Sequence, residues 1–185
     1  GKVKPILLYG VTGSGKTEVY LQAIQKAIDE GKGAIVLVPE IALTPQTADR
    51  FKKRFAKIKD QVAILHSNLS EGERHDEWRK VLEQKARIVI GARSAIFSPV
   101  ANLGLIVVDE EHENSYKQDI SPRYQARDIA VVRGHLEKCP VLLGSATPSL
   151  ETWNNAQNDK YELTRMSQRI DDRKMPLIRI IDMRQ

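Results

Sequence analysis

The chain has 185 residues, 41% hydrophobic and 29% charged, the balance of one globular domain with a sizeable core rather than a disordered tail or two full domains. Twenty-nine Lys and Arg against 24 Asp and Glu leave a net charge of +5, compatible with a polyanionic partner without demanding one. A single cysteine, Cys139, excludes an internal disulfide and a cysteine-ligated zinc cluster, and the lack of a ~20-residue apolar run or signal segment points to the cytoplasm.

In chain order, the first predicted element is a strand, Ile6–Tyr9, apolar throughout as a strand buried on both faces would be. It runs into Gly10-Val11-Thr12-Gly13-Ser14-Gly15-Lys16-Thr17, a full match to G-x-x-x-x-G-K-[ST] in its proper strand-to-helix context. Gly10, Gly13 and Gly15 let the backbone, Val11, Thr12 and Ser14 included, curl its N–H groups around phosphates. Lys16 reaches the outer phosphates, Thr17 supplies a hydroxyl to Mg²⁺, and the helix that follows presents its positive end. That helix is predicted over Lys16–Glu30, with Tyr20, Ile24, Ala27 and Ile28 on one stripe and Gly31 as its stop.

A second strand, Ala34–Val38, leads to Thr44-Pro45, a cap followed by proline that opens a helix to about Lys57. On it Phe51, Phe55 and Ile58 share the core face, leaving Arg50, Lys53 and Lys57 to solvent. Thr44 and Gln46, beside the free N–H groups of that helix start, form a seat for a nucleic-acid phosphate or an ordinary cap. After the strand Val62–Leu65, Ser70 and Glu73 spell a capping box ahead of Trp78, Val81 and Leu82. The strand Arg87–Ile90 is followed by Arg93 and Ser94, a second pair able to hold a phosphate by charge and hydroxyl.

The strand Leu105–Val108 ends in Asp109-Glu110-Glu111-His112. At the C-terminal edge of a parallel sheet, Asp109 would hold Mg²⁺ through its water shell and Glu110 would polarise the attacking water. His112 reads as a hydrogen-bond relay from that site. Between Glu113 and Arg127, Tyr116, Lys117, Arg123 and Tyr124 mix rings with cations. They either stack on single-stranded bases and report DNA to the nucleotide site, or pack under the next helix. Ser121-Pro122 and Thr147-Pro148 are read as caps opening helices at Arg123–Leu136 and Ser149–Gln157, with the strand Val141–Leu143 between them and a last strand at Leu177–Asp182. Strict alternation predicts a three-layer α/β domain with a mostly parallel central sheet.

Asp109-Glu-Glu-His112 and Gly144-Ser145-Ala146-Thr147-Pro148 resemble motifs II and III of superfamily 2 DExH-box helicases. Pro39–Gln46 resembles motif Ia and Gly91-Ala-Arg93-Ser94 a backbone-touching motif, with Leu65-His66-Ser67 at a strand-to-loop step. Over nearly the whole chain the wording is similar to the PriA family of bacterial primosomal helicases. That resemblance implies a RecA-like first motor lobe spanning residues 1–185, with 177–185 starting the connection to a second lobe, and, since Gly1 replaces a Met, a piece of a longer chain. It implies ATP and Mg²⁺ as cofactors, and a coupling role for Ser145 and Thr147. The activity implied is DNA-dependent ATPase and 3′-to-5′ DNA helicase in replication restart and primosome assembly. Partners implied are single-stranded and forked DNA, single-strand-binding protein and other primosome proteins. The family's zinc-binding insertion has no counterpart here, and Asp119-Ile-Ser-Pro122 departs from its Trp-bearing aromatic segment. Two other readings compete: a phosphate-loop nucleotide switch or interaction module, and another superfamily 2 DNA translocase.

Overall fold

In the computed structural model, residues 3–66 and 69–166 are described. Seven strands form one parallel sheet: β1 (Ile6–Gly10), β2 (Gly33–Leu37), β3 (Val62–Leu65), β4 (Ile88–Gly91), β5 (Leu103–Val108), β8 (Val141–Ser145) and β9 (Glu162–Met166), in the order β3-β4-β2-β5-β8-β1-β9. Two short strands, β6 (Lys117–Gln118) and β7 (Tyr124–Gln125), pair antiparallel as a separate hairpin. The strands β2, β4 and β8 are buried at every position, the signature of a sheet covered on both faces.

Helices α1 (Lys16–Asp29), α2 (Pro45–Arg54), α3 (Glu71–Leu82), α4 (Ala126–Glu137) and α5 (Leu150–Gln157) complete the three layers. Two apolar clusters sit on either side of the sheet. One is led by Tyr20, Ile24, Phe51 and Phe55, the other by Ile35, Val81, Ile106 and Tyr116. The predicted caps hold where a side chain meets the first free N–H groups. Thr44 accepts from Thr47 N, and Ser70 and Glu73 form a complete capping box. The edge strand β3 is partly sealed by Glu77, whose Oε2 accepts from Ile64 N at 2.8 Å.

Several expectations are corrected. Ser121-Pro122 does not open a helix, because β7 stays extended to pair with β6 and the Pro122 carbonyl accepts from Gln118 Nε2. Helix α4 therefore begins only at Ala126. Thr147-Pro148 is not the cap of α5; Ser149 is, accepting from Thr152 N, while the Thr147 N–H turns back to Ser145 Oγ. Helix α2 stops at Arg54 rather than near Lys57, and the backbone kinks at Ile58. Of the α3 trio only Val81 is buried; Trp78 and Leu82 are exposed. Strand β9 and the β6–β7 hairpin were not foreseen, and the expected strand Leu177–Asp182 and the connection 177–185 lie outside the described residues. No helix among the described residues is long and apolar enough to cross a membrane.

Candidate nucleotide and nucleic-acid sites

The phosphate loop joins β1 to α1. Gly13 and Gly15 sit at φ of 81° and 93°, left-handed values that a side chain disfavours and that turn successive N–H groups inward. Lys16 is buried, and its Nζ donates to the carbonyl of Gly10 at 2.7 Å and, at 3.5 Å, to that of Val11. The ammonium is thus held by loop carbonyls rather than by an acid. Ser14 Oγ is buried without a partner. A cavity of about 400 Å³ opens in front, lined by Thr12, Gly13, Lys16, Thr17, Asp109 and Glu110 among others. A positive loop, the Thr17 hydroxyl and a facing carboxylate pair fit a Mg²⁺-nucleotide.

Asp109 and Glu110 leave the end of β5 on the far side of that cavity. Tyr20 of α1 donates its hydroxyl to Asp109 Oδ1 at 3.1 Å, and the Glu110 N–H donates to the same oxygen at 3.1 Å. The Tyr20 hydroxyl can stand there because Gly144 lacks a Cβ, which would fall 1.5 Å from it. Burial and the Asp109 carboxylate push the Tyr20 phenol far up, so it remains a donor. Asp109 itself is raised above the ordinary carboxylate range, first by burial and then by the Glu110 charge, against the pull of Tyr20, the Glu110 N–H and Lys16. Glu110 has φ of 44°, a strained backbone of the kind stored at functional sites.

Asp109 therefore opposes folding when ionised. A raised carboxyl pKa means that the folded state holds its proton more tightly, so this contribution to stability is lost as pH rises from the unfolded pKa through the folded one. Asp109→Asn is expected to raise the melting temperature of the nucleotide-free chain at pH 7, by about 2–4 °C for each kcal/mol relieved. The gap should close as pH falls below the raised value. An unchanged or lowered melting temperature for the variant would refute the account.

The next two residues tie this strand end to the loop after β8. Glu111, fully buried, accepts from Ser149 N (2.8 Å), Ser149 Oγ (3.1 Å), Thr152 Oγ1 (2.8 Å) and Arg127 (3.2 Å). Burial opposes the charge on Arg127, but its hydrogen bond to Asp128 and the charges of Asp128 and Glu111 outweigh that and raise it. His112 Nδ1 hydrogen-bonds Ser145 Oγ at 2.8 Å, and its Nε2 lies 3.4 Å from Thr147 Oγ1. His112 thus stands between the acidic strand end and the segment carrying Ser145 and Thr147.

The expected nucleic-acid contacts divide. Ser94, Gln46, Lys117 and Arg123 are exposed, and Thr44 is exposed although its hydroxyl is used as a cap. Arg93 bonds the carbonyls of Ser115 at 3.5 Å and Lys117 at 2.5 Å, bracing the hairpin from the turn after β4. Arg123 donates to the Asp119 carbonyl at 3.0 Å. Tyr116 corrects the stacking expectation: it is 0% exposed and donates to the Asp109 carbonyl at 2.6 Å. No base can lie on a ring with no free face. Tyr124 is half-buried against Phe97, with ring centroids 5.1 Å apart.

Three participants escaped the sequence reading. Tyr20 looked like one member of a helical core stripe, and only its register against Gly144 shows otherwise. Glu111 has no role assigned to it by the sequence. Arg50, assigned to solvent, lines the nucleotide cavity, on the helix whose Arg54 pairs with Glu18 of α1 at 3.3 Å; no local pattern in the sequence marks it.

Comparison with known proteins agrees with this geometry. Residues 2–156 match the family model "DEAD/DEAH box helicase". The chain is 56% identical over 182 residues, 98% of its length, to replication restart protein PriA of Bacillus subtilis, and 53% identical over 183 residues to that of Chlamydia muridarum. It spans 22% and 24% of those proteins. Among solved structures it resembles RecG bound to a three-way DNA junction (TM-score 0.62, 24% identity, 91% of this chain and 21% of that one). It also resembles a hypothetical ATP-dependent RNA helicase from Sulfolobus tokodaii (TM-score 0.62, 18% identity, 89% and 48%). At these identities the structures attest the fold, a RecA-like helicase domain.

Proposed function

The chain belongs to the DEAD/DEAH box helicase family, and from that premise we propose that it is the first, ATP-binding motor lobe of a DNA-dependent ATPase and 3′-to-5′ DNA helicase acting in replication restart. The observation that carries this reading is one connected site. Lys16 and Thr17 face Asp109 and Glu110 across a single cavity, and His112 links those acids to Ser145 and Thr147. A nucleotide switch requires the first half of that arrangement but not the second. High similarity to PriA proteins favours replication restart over other translocases. Single-stranded and forked DNA, single-strand-binding protein and primosome proteins are the proposed partners, the cytoplasm the proposed location, and any zinc site belongs to another part of the longer protein.

The loop N–H groups and Lys16 bind and orient the triphosphate, and Thr17 and Asp109 would hold Mg²⁺. That ion, when bound, neutralises charge developing on the phosphate oxygens. Glu110 orients the attacking water and accepts its proton. Tyr20 keeps the Asp109 carboxylate aimed, and Arg50 adds positive charge at the cavity mouth.

A nucleotide titration of this chain tests the assignment. Lys16→Ala is expected to weaken Mg²⁺-ATP binding by roughly 10- to 100-fold, the worth of one charge-assisted hydrogen bond, with the far-ultraviolet circular dichroism unchanged. Arg50→Ala, farther from the loop, should cost less. Equal affinity of wild type and Lys16→Ala would sink the phosphate-loop assignment.

A further inference from the structure

A second cavity, of about 460 Å³, lies between α3, the ends of β3 and β4, the turn Arg93–Phe97 and the β6–β7 hairpin. Its walls include three aromatic rings: Trp78, Phe97 and Tyr124. Trp78 is 37% and Phe97 50% exposed, although a soluble chain gains by burying rings of that size. Phe97 and Tyr124 stand edge to face, interplanar angle 75°, so Phe97 is braced and its outer face is free. Around the rings stand Arg74 and Arg93, with Glu40 the one acid among the lining residues, and Ser94 adds a hydroxyl.

We propose that this cavity is a nucleobase pocket, in which one unstacked base of single-stranded DNA lies against Trp78 and Phe97 while Arg74, Arg93 and Ser94 hold the adjoining phosphates. The inference rests on the DNA-binding reading above and extends it from backbone grip to base contact. Two exposed rings beside the small apolar patch of Leu65 and Ala92 suit a flat π-faced ligand, and the excess of guanidinium over carboxylate suits a polyanion. A base inside a duplex has no face to offer, so the pocket accepts only strand that has already been opened. Every base has such a face, so occupancy is sequence-tolerant, as a motor on arbitrary sequence requires. Because Arg93 also braces the hairpin through the Ser115 and Lys117 carbonyls, and Tyr116 between them bonds the Asp109 carbonyl, an occupied pocket abuts the segment that reaches the nucleotide site.

The chain has two tryptophans, Trp78 and Trp153, and Trp153 packs on Tyr9 of β1, away from this cavity. In Trp153→Phe protein, indole fluorescence therefore reports Trp78 alone. Titration with 5′-labelled oligothymidine at low salt should quench it, and an abasic strand of equal length should bind, by label anisotropy, about tenfold or more weakly and without quenching. Phe97→Ala, at an exposed position, should lower oligothymidine affinity to the abasic level and leave abasic affinity unchanged. Equal anisotropy titrations for both strands, with no quenching, would overturn the pocket while leaving backbone binding intact. Failure of both strands to bind would overturn the DNA-binding reading of this lobe, and the pocket with it.

Discussion

Assayed by itself with Mg²⁺-ATP and single-stranded DNA, the 185-residue chain should release phosphate roughly 10³–10⁵-fold more slowly than a protein that carries both motor lobes. Phosphoryl transfer needs its reactants positioned and its equatorial oxygens surrounded by cations. Among the described residues the cations at the cavity are Lys16 and Arg50. Arg93 and Arg123, read from the sequence as nucleic-acid contacts, are bonded to the carbonyls of Ser115, Lys117 and Asp119 and line no part of that cavity. On the two-lobe reading proposed above, the charge that completes the transition state would come from a second lobe, which by resemblance carries an arginine finger. The open cavity also admits water, which weakens each remaining electrostatic contact. Comparison of phosphate release by this chain and by the longer protein is the deciding measurement. Parent-like turnover by the chain alone would mean that Lys16 and Arg50 suffice and that the two-lobe mechanism is wrong.

In the longer protein, Glu110→Gln should leave nucleotide binding in place and slow hydrolysis by ~10²-fold or more, the effect of losing a positioned base. The substitution keeps the size of the side chain and removes its charge. Glu111 cannot take over: it is fully buried and accepts hydrogen bonds from Ser149, Thr152 and Arg127. Its replacement by Ala should instead cost stability, on the order of 1–3 kcal/mol, by leaving the Ser149 N–H and the buried Thr152 hydroxyl without their acceptor and Arg127 with Asp128 as its one remaining acid. Single-turnover kinetics and thermal melting of the two variants separate these roles. Full hydrolysis by Glu110→Gln, or a catalytic defect without destabilisation in Glu111→Ala, would reverse the assignment.

The phosphate loop, the acidic strand end, the five helices and six of the strands were legible from the residues alone. Each of these is a local device: a cap bonds an N–H three residues away, and a strand bounded by glycine and polar turns declares its length. A cap can also mislead locally, as Ser121-Pro122 shows. There a competing pairing of Tyr124 with Gln118 outweighs the cap and keeps the chain extended. Strand β9 escaped notice because its residues, Glu162 to Met166, are half polar and lie at the sheet's edge against β1, where one side needs no apolar partner.

Sequence by itself determined that a triphosphate-binding loop and a DExH segment occupy one parallel α/β domain, because the chemistry of each resides in contiguous residues. Tertiary structure decided which of the neighbouring acids does what. Asp109, Glu110 and Glu111 are adjacent and alike in type, but the first meets the Tyr20 hydroxyl, the second faces the cavity, and the third is enclosed by Arg127, Ser149 and Thr152. It also decided that Tyr116 is core and Arg50 is not simply solvated. Those outcomes depend on partners 16 to 89 residues away in the chain, brought together by sheet order, and a local pattern carries no information about what will stand opposite it.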